Sequence, residues 1–349
     1  MTARALALRW FLLAVVVGVV LVWAEAQSSD GLAGLLRVGD ESVARPIVEE
    51  ELGTVPLTEG FGHDGQFFYA VGIDLNGDVM SERAGDWAYR YRRILYPLVA
   101  SGFGLLDGKA LLYGMVATSI LSFAVAAAAA AWITHRLGVS EWLVLAILIN
   151  PGIWLAVRLL TSDTLALALM LVGLAAVLAK RRTSPIPLAL SLLAKEVYLP
   201  TPAGIAVSRD RRRWLDFLIP LAVLLAWLAW LSSTMTSGFT PRNNLAFPAT
   251  GLIDAASNWP SMGSADWFYL ILAFVFVAAG VVAAAVMKGW LRWPMLAWVA
   301  VALISSEAVW EFGNNAARVF APIAVLIALN AARAEPETVA AEVSPRPAP

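Results

Sequence analysis

The sequence predicts an all-α fold: a polytopic transmembrane helical bundle of about eight to ten spans, including a short helical hairpin around residues 186–207. Three observations predict it. Hydrophobic residues make up 60% of the 349-residue chain and charged residues 15%, with a mean hydropathy of +0.72, far from the balance of a soluble domain. The apolar residues come in blocks of about 17 to 24, the length that carries a helix across a hydrocarbon core. No run shows the polar–apolar alternation that a membrane β-barrel requires.

The first block, 6–24, follows a basic start with Arg4 and Arg9. Its apolar run exceeds the roughly 7 to 15 residues of a signal-peptide core, so it reads as a retained first span, cleavage after Ala24 or Ala26 being the alternative. A long polar interval, the outer loop 25–93, comes next. Further spans are predicted at 111–133, 142–157, 165–179, 215–232, 267–287, 294–309 and 317–332. Taken as one span, 186–207 would put KRRTS (from Lys180) and RDRRR (from Arg209) on opposite sides, although both clusters are strongly basic and belong in the cytoplasm. Two short helices that enter and return resolve the conflict, and Lys195, Glu196, Pro200 and Pro202 mark the break.

With that hairpin, both termini and the basic turns face the cytoplasm of an integral, multi-pass plasma (inner) membrane protein. Residues 25–93, the turn at 158–163, and residues 234–266 and 307–315 face the other side. The chain reads as one membrane domain, 1–333, followed by an acidic, Pro/Ala-rich tail, 334–349, expected to be disordered. Net charge is −1 and the bases sit in short loops, which gives no reason to expect a nucleic-acid partner; the bilayer is the partner. Without cysteine, disulfides and thiolate metal sites are excluded.

The polar features converge on the outer face. Asp64, in GHDGQ, is a carboxylate able to take the proton of an attacking alcohol, or else an Asx-turn residue beside glycine. YRYRR supplies Arg90, Arg92 and Arg93, against the positive-inside trend. Their forked donors match phosphate oxygens, or they serve lipid headgroups or pair with Asp86 and Glu82. Tyr89, Tyr91 and Tyr96 are expected to place amphipathic rings at headgroup level.

Lys195 and Glu196 are adjacent on a helix and point about 100° apart, so they cannot simply neutralise each other. A substrate phosphate is the expected partner of Lys195, with an ion pair to another loop as the alternative. Asp163 follows Thr161 and Ser162, either of which is placed to cap the next helix. Arg318, near the outer end of the last span, either snorkels or reaches a phosphate. DLNGDV, with Asp74 and Asp78, reads as a turn because its glycine and glutamate do not match a calcium loop. His63 and His135 fall on opposite sides, which argues against a histidine metal site.

HDGQFFY in the first outer loop, then AYRYRRILYPL, LLAKEVYLP and NNAARVFAPI, resemble the integral-membrane GT-C glycosyltransferases. The chain looks closest to bacterial relatives of the PIG-V-like and other polyprenyl-phosphate-mannose-dependent mannosyltransferases, over residues 60–325. The resemblance implies inverting transfer of a sugar, mannose first with arabinose or glucose also open, from a polyprenyl-phosphate donor to a glycolipid, polysaccharide or protein acceptor. It implies Asp64 as general base and Arg90, Arg93, Lys195 and Arg318 as donor-phosphate ligands. His63, Gln66, Tyr69, Asp86, Asp163 and Glu196 are expected to support them. Many members carry paired acids where this loop has the single acid of HDG; that leaves Asp74 and Asp86 as alternative bases and divalent-metal use in doubt. From another class, the competing reading is a lipid or small-molecule transporter, or flippase, with Lys195 and Glu196 in its path.

Overall fold

The computed structural model describes residues 2–82, 86–208, 211–235 and 244–331. The tail 334–349, part of the 234–266 loop, and Arg209 and Asp210 of the second basic cluster lie outside the described residues. The first half contains α1 (Ala3–Ser28), α2 (Arg45–Leu52), α3 (Asp64–Ile73), α4 (Trp87–Tyr91), α5 (Leu95–Ala100), α6 (Gly108–Leu137), α7 (Leu145–Leu148), α8 (Pro151–Arg158) and α9 (Asp163–Leu178). The second contains α10 (Pro185–Ala194), α11 (Pro200–Val207), α12 (Leu215–Thr234), α13 (Thr250–Ala255), α14 (Ser264–Val286), α15 (Arg292–Ile304), α16 (Glu307–Trp310) and α17 (Gly313–Ala331). A two-residue parallel pair, β1 (Val38–Gly39) and β2 (Leu57–Thr58), is the sheet among the described residues.

Within the described residues each predicted span falls on helix, two of them interrupted, but four helices, α1, α6, α12 and α14, are long and apolar enough to cross a membrane, or up to five if the bent pair that ends in α8 is one span. The expected number was higher. Shorter apolar helices, α9 and α15 among them, are packed within the bundle, where neighbouring helices make up for length. Large apolar side chains stand exposed along α1, α12 and α14, which suits lipid contact.

Two expected spans are broken, each for a local reason. Residues 142–157 bend by 52° between Glu141–Leu148 and Pro151–Arg158. Pro151 has no N–H to continue the ladder and disfavours helix at Asn150, whose side chain instead accepts from the N–H groups of Gly152 at 3.0 Å and Ile153 at 3.3 Å. In 294–309, helix α15 stops at Ile304, Ser305 turns extended, and α16 begins afresh.

Residues 186–207 form the hairpin. Lys195 is extended (φ −161°) where α10 ends, and Pro200 opens α11. Ser184, before α10, donates to Asp216 at the start of α12 at 2.5 Å, and Arg213 donates to Ser208 at 3.3 Å. The base of α10 and the end of α11 therefore lie at the same level as the start of α12, with Lys195 and Glu196 at the opposite end.

Close helix contact positions α17. A Cβ on Gly152 would lie 2.3 Å from the carbonyl oxygen of Ala317 and 3.3 Å from the Arg318 nitrogen, so only glycine lets α8 approach there. Gly152→Val is expected to cost about 1–3 kcal/mol through overpacking and to move Arg318, measurable as a lower thermal midpoint in detergent.

Candidate functional site

The site is built from a loop that the first helix holds in place. Glu25, buried near the end of α1, pairs with Arg37 and Arg158, 133 residues apart from it in the second case. Arg37 adopts a left-handed conformation, and its carbonyl accepts the His63 N–H at 3.0 Å. Gln66 accepts from the Gly39 N–H at 3.2 Å and donates to the Phe61 carbonyl at 2.7 Å. Gly62 has φ +67°, and a Cβ there would meet the Arg37 oxygen at 2.3 Å, so glycine is required. The loop delivers Asp64 as the first residue of α3, where the helix dipole favours its negative charge.

Asp64 lies among three guanidiniums: Arg90 Nη1 at 2.7 Å, Arg318 Nη2 at 3.5 Å and Arg93 Nη1 at 3.8 Å. Burial pushes its carboxyl up, but the charges of Arg90, Arg318, Arg93 and, next, Lys195 outweigh that and hold it well below the usual carboxylate range. The Arg90 guanidinium stacks over Phe67 at 3.8 Å from the ring centre. Arg93 grips Glu196 with two donors, at 3.2 and 3.3 Å, and donates to the Tyr89 hydroxyl at 2.8 Å. Helix α4, which carries Arg90, is fixed by Trp87 and Tyr91, buried with Leu231 and Met235 from the end of α12.

Lys195 donates to Asp163 at 2.5 Å, and Arg318 Nη1 lies 3.6 Å from the same carboxylate. Glu196 turns to Arg93, so the adjacent pair finds different partners as expected, but the reason is the extended backbone of Lys195 at the break after α10, not a shared helix. Lys195 takes the ion-pair alternative, with Asp163 as its partner, and also lines the cavity. Thr161 donates to the Asp163 carboxylate at 2.9 Å, and Ser162 makes no side-chain cap, so the capping expectation fails. Arg318 is 6% exposed, and its Nε and Nη1 make no hydrogen bond. A buried guanidinium with unused donors is a ready anion ligand.

The cationic groups, Asp64 and Glu196 face a cavity of about 1350 Å³, whereas Asp163 lies outside its lining. Its lining includes Asp64, Arg90, Arg93, Lys195, Glu196 and Arg318, together with His63 and Asp86. It also includes an apolar stretch: Leu224 and Leu228 from α12, Leu199 from the hairpin, and Val301 and Ile304 from α15. Burial and the nearby Arg318 charge lower the His63 pKa, which favours its neutral form. Among the described residues no group of three or more His, Asp or Glu side chains is assembled as a metal ion would need.

Several expected participants have other roles. Gln66 pins the loop, and Tyr69 donates to the Gly108 carbonyl at 3.0 Å, outside the cavity lining. Asp74 accepts from the N–H groups of Asp78, Val79 and Met80 at 2.8–3.0 Å. It is a turn residue, as the DLNGDV reading expected, and lies outside the cavity lining, which counts against it as an alternative base. Tyr91 and Tyr96 are fully buried and bonded to Asp74 and Ser119, not placed as headgroup rings; Tyr89 alone of the three lines the cavity.

Sequence reading did not find Phe67, Asn315 or Glu25. Asn315 accepts from Arg318 at 3.1 Å, and their i, i+3 spacing was the available signal. Glu25 had none, since Arg158 reaches it only through the tertiary fold. No family model matches the chain, and no curated protein or solved structure shows significant similarity to it.

Proposed function

We propose that the protein is an inverting membrane glycosyltransferase of the GT-C kind, moving a sugar, mannose as first expectation, from a polyprenyl-phosphate donor to an extracytoplasmic acceptor hydroxyl. The observation that carries this reading is Asp64, held ionised among Arg90, Arg93 and Arg318 in a cavity that also has an apolar lining. The acceptor oxygen bonds to the anomeric carbon as the bond from that carbon to the phosphate oxygen breaks. The electron pair leaves with the phosphate, and the acceptor proton passes to Asp64. A diester becomes a monoester with added negative charge, which Arg90, Arg93, Lys195 and Arg318 stabilise. The apolar lining suits the prenyl chain.

The guanidiniums that keep Asp64 ionised also make it a weak base. A donor phosphate that engages them competes with Asp64, so its proton affinity rises once the donor is bound. The acid limb of kcat is therefore expected at higher pH than that of kcat/KM, by about one unit or more. A pH profile of transfer, repeated in a His63→Gln background to remove the neighbouring imidazole, checks this.

The decisive experiment supplies radiolabelled polyprenyl-phosphate mannose to membranes carrying wild-type or Asp64→Asn protein at equal abundance. Transfer that collapses in the variant supports the reading, and transfer retained in the variant moves the base to Asp86. No transfer from any lipid-linked sugar by the wild type would overturn the reading in favour of transport.

A further inference from the structure

Among the described residues, the cations of the cavity come from α4, the segment immediately after it, the hairpin tip and α17, at Arg90, Arg92, Arg93, Lys195 and Arg318. Another part of the wall, contributed by residues 58–63, Asp266 and residues 311–315, carries no lysine or arginine. It carries Glu59, Asp266 and Glu311, with the amide of Asn314 and the rings of Phe61 and Phe312. Its parts belong together: a Cβ on Gly313 would lie 1.9 Å from the Asp266 carbonyl oxygen, and the Asp266 charge acts on His63.

Exposure orders the cavity from floor to mouth. Lys195 and Arg318 are 3% and 6% exposed, whereas Phe61 and Phe312 are 74% and 51% exposed. Both rings stand free to cover the apolar face of a ligand arriving from solvent. Carboxylates and an amide beside exposed rings supply hydrogen-bond acceptors and donors for hydroxyl groups while repelling a second anion.

We propose that this wall is the acceptor subsite and that it takes a neutral saccharide, rejecting acidic ones. Its place in a reaction rests on the transferase reading; its binding preference does not. Phe61 and Phe312 stack on the sugar face, and Glu59, Asp266 and Glu311 accept hydroxyl hydrogen bonds. The hydroxyl to be modified then points toward Asp64. An acceptor bearing a uronate or a phosphate near that hydroxyl meets three carboxylates on this wall.

The test is saturation-transfer NMR on the full chain in lipid nanodiscs, using methyl α-D-mannopyranoside and methyl α-D-glucopyranoside, each beside its uronic-acid counterpart. The neutral glycosides are expected to bind and the uronates not to. Phe312→Ala is expected to weaken neutral binding about tenfold. Joint Glu59→Gln, Asp266→Asn and Glu311→Gln substitution is expected to admit the uronates. An unchanged thermal midpoint in nanodiscs shows that each variant is folded. Equal binding of uronates by the wild type would overturn the proposal, as would failure of every glycoside to bind the folded wild-type protein. Neutral-glycoside binding with no sugar transfer would overturn the transferase reading and leave the subsite standing.

Discussion

On the transferase reading proposed above, Asp64→Asn is expected to lower kcat for sugar transfer by about three orders of magnitude, while affinity for the polyprenyl-phosphate donor holds or tightens. The two halves of that result have separate causes. An amide cannot take the acceptor proton, so the general-base contribution is lost. The carboxylate is also the competitor for Arg90, Arg318 and Arg93, and its removal frees their donors for phosphate. A variant that merely distorted the site would lose donor binding together with turnover. Steady-state kinetics combined with direct measurement of donor binding separates the cases, and a fall in both would contradict the assigned role of Asp64.

Lys195→Met is expected to cost about 3–5 kcal/mol of stability, the penalty for leaving a buried charge without its partner. Lys195 and Asp163 have side chains 4% and 5% exposed and meet at 2.5 Å. Arg318 lies 3.6 Å from the same carboxylate but shares its charge with Asp64, so it offsets the lost ammonium only in part. Adding Asp163→Asn to Lys195→Met should therefore recover part of the loss, because it removes the stranded charge. Thermal unfolding in detergent reports this directly. Equal midpoints for wild type and Lys195→Met would mean that the pair contributes nothing, and an unimproved double variant would show that the charge was not the cause.

Much of the helical layout was legible because it depends on local chemistry. Long apolar blocks forecast α1, α6, α12 and α14 within a few residues. The hairpin was readable because two basic clusters and the Lys195–Glu196 interruption conflict with a single crossing. The bend at Asn150 and Pro151 was equally local and was passed over, since the surrounding hydropathy continues through it. The break after Ile304 was marked by Ser305, Ser306 and Glu307, a local signal that was passed over because apolar residues resume directly after it.

The candidate site was legible in its residue types and only partly in their partners. Asp64, Arg90, Arg93, Lys195, Glu196 and Arg318 do line one cavity. Gln66 and Tyr69 stand in the same HDGQFFY block as Asp64, yet helical rotation turns them toward backbone partners. Spacing alone does not tell which face of so short a helix meets the cavity.

By itself the sequence determined that this is a helical membrane protein, where its longest helices run, and that the chain turns back at Lys195. Those properties follow from transfer free energy and backbone chemistry, which act over a few turns of helix. Only the tertiary structure decided which cation meets which carboxylate. Arg93 with Glu196, Lys195 with Asp163, and Arg158 with Glu25 are pairs between distant segments, brought together by close helix packing such as that at Gly152. Ion pairing depends on separation in space, and no local pattern encodes it.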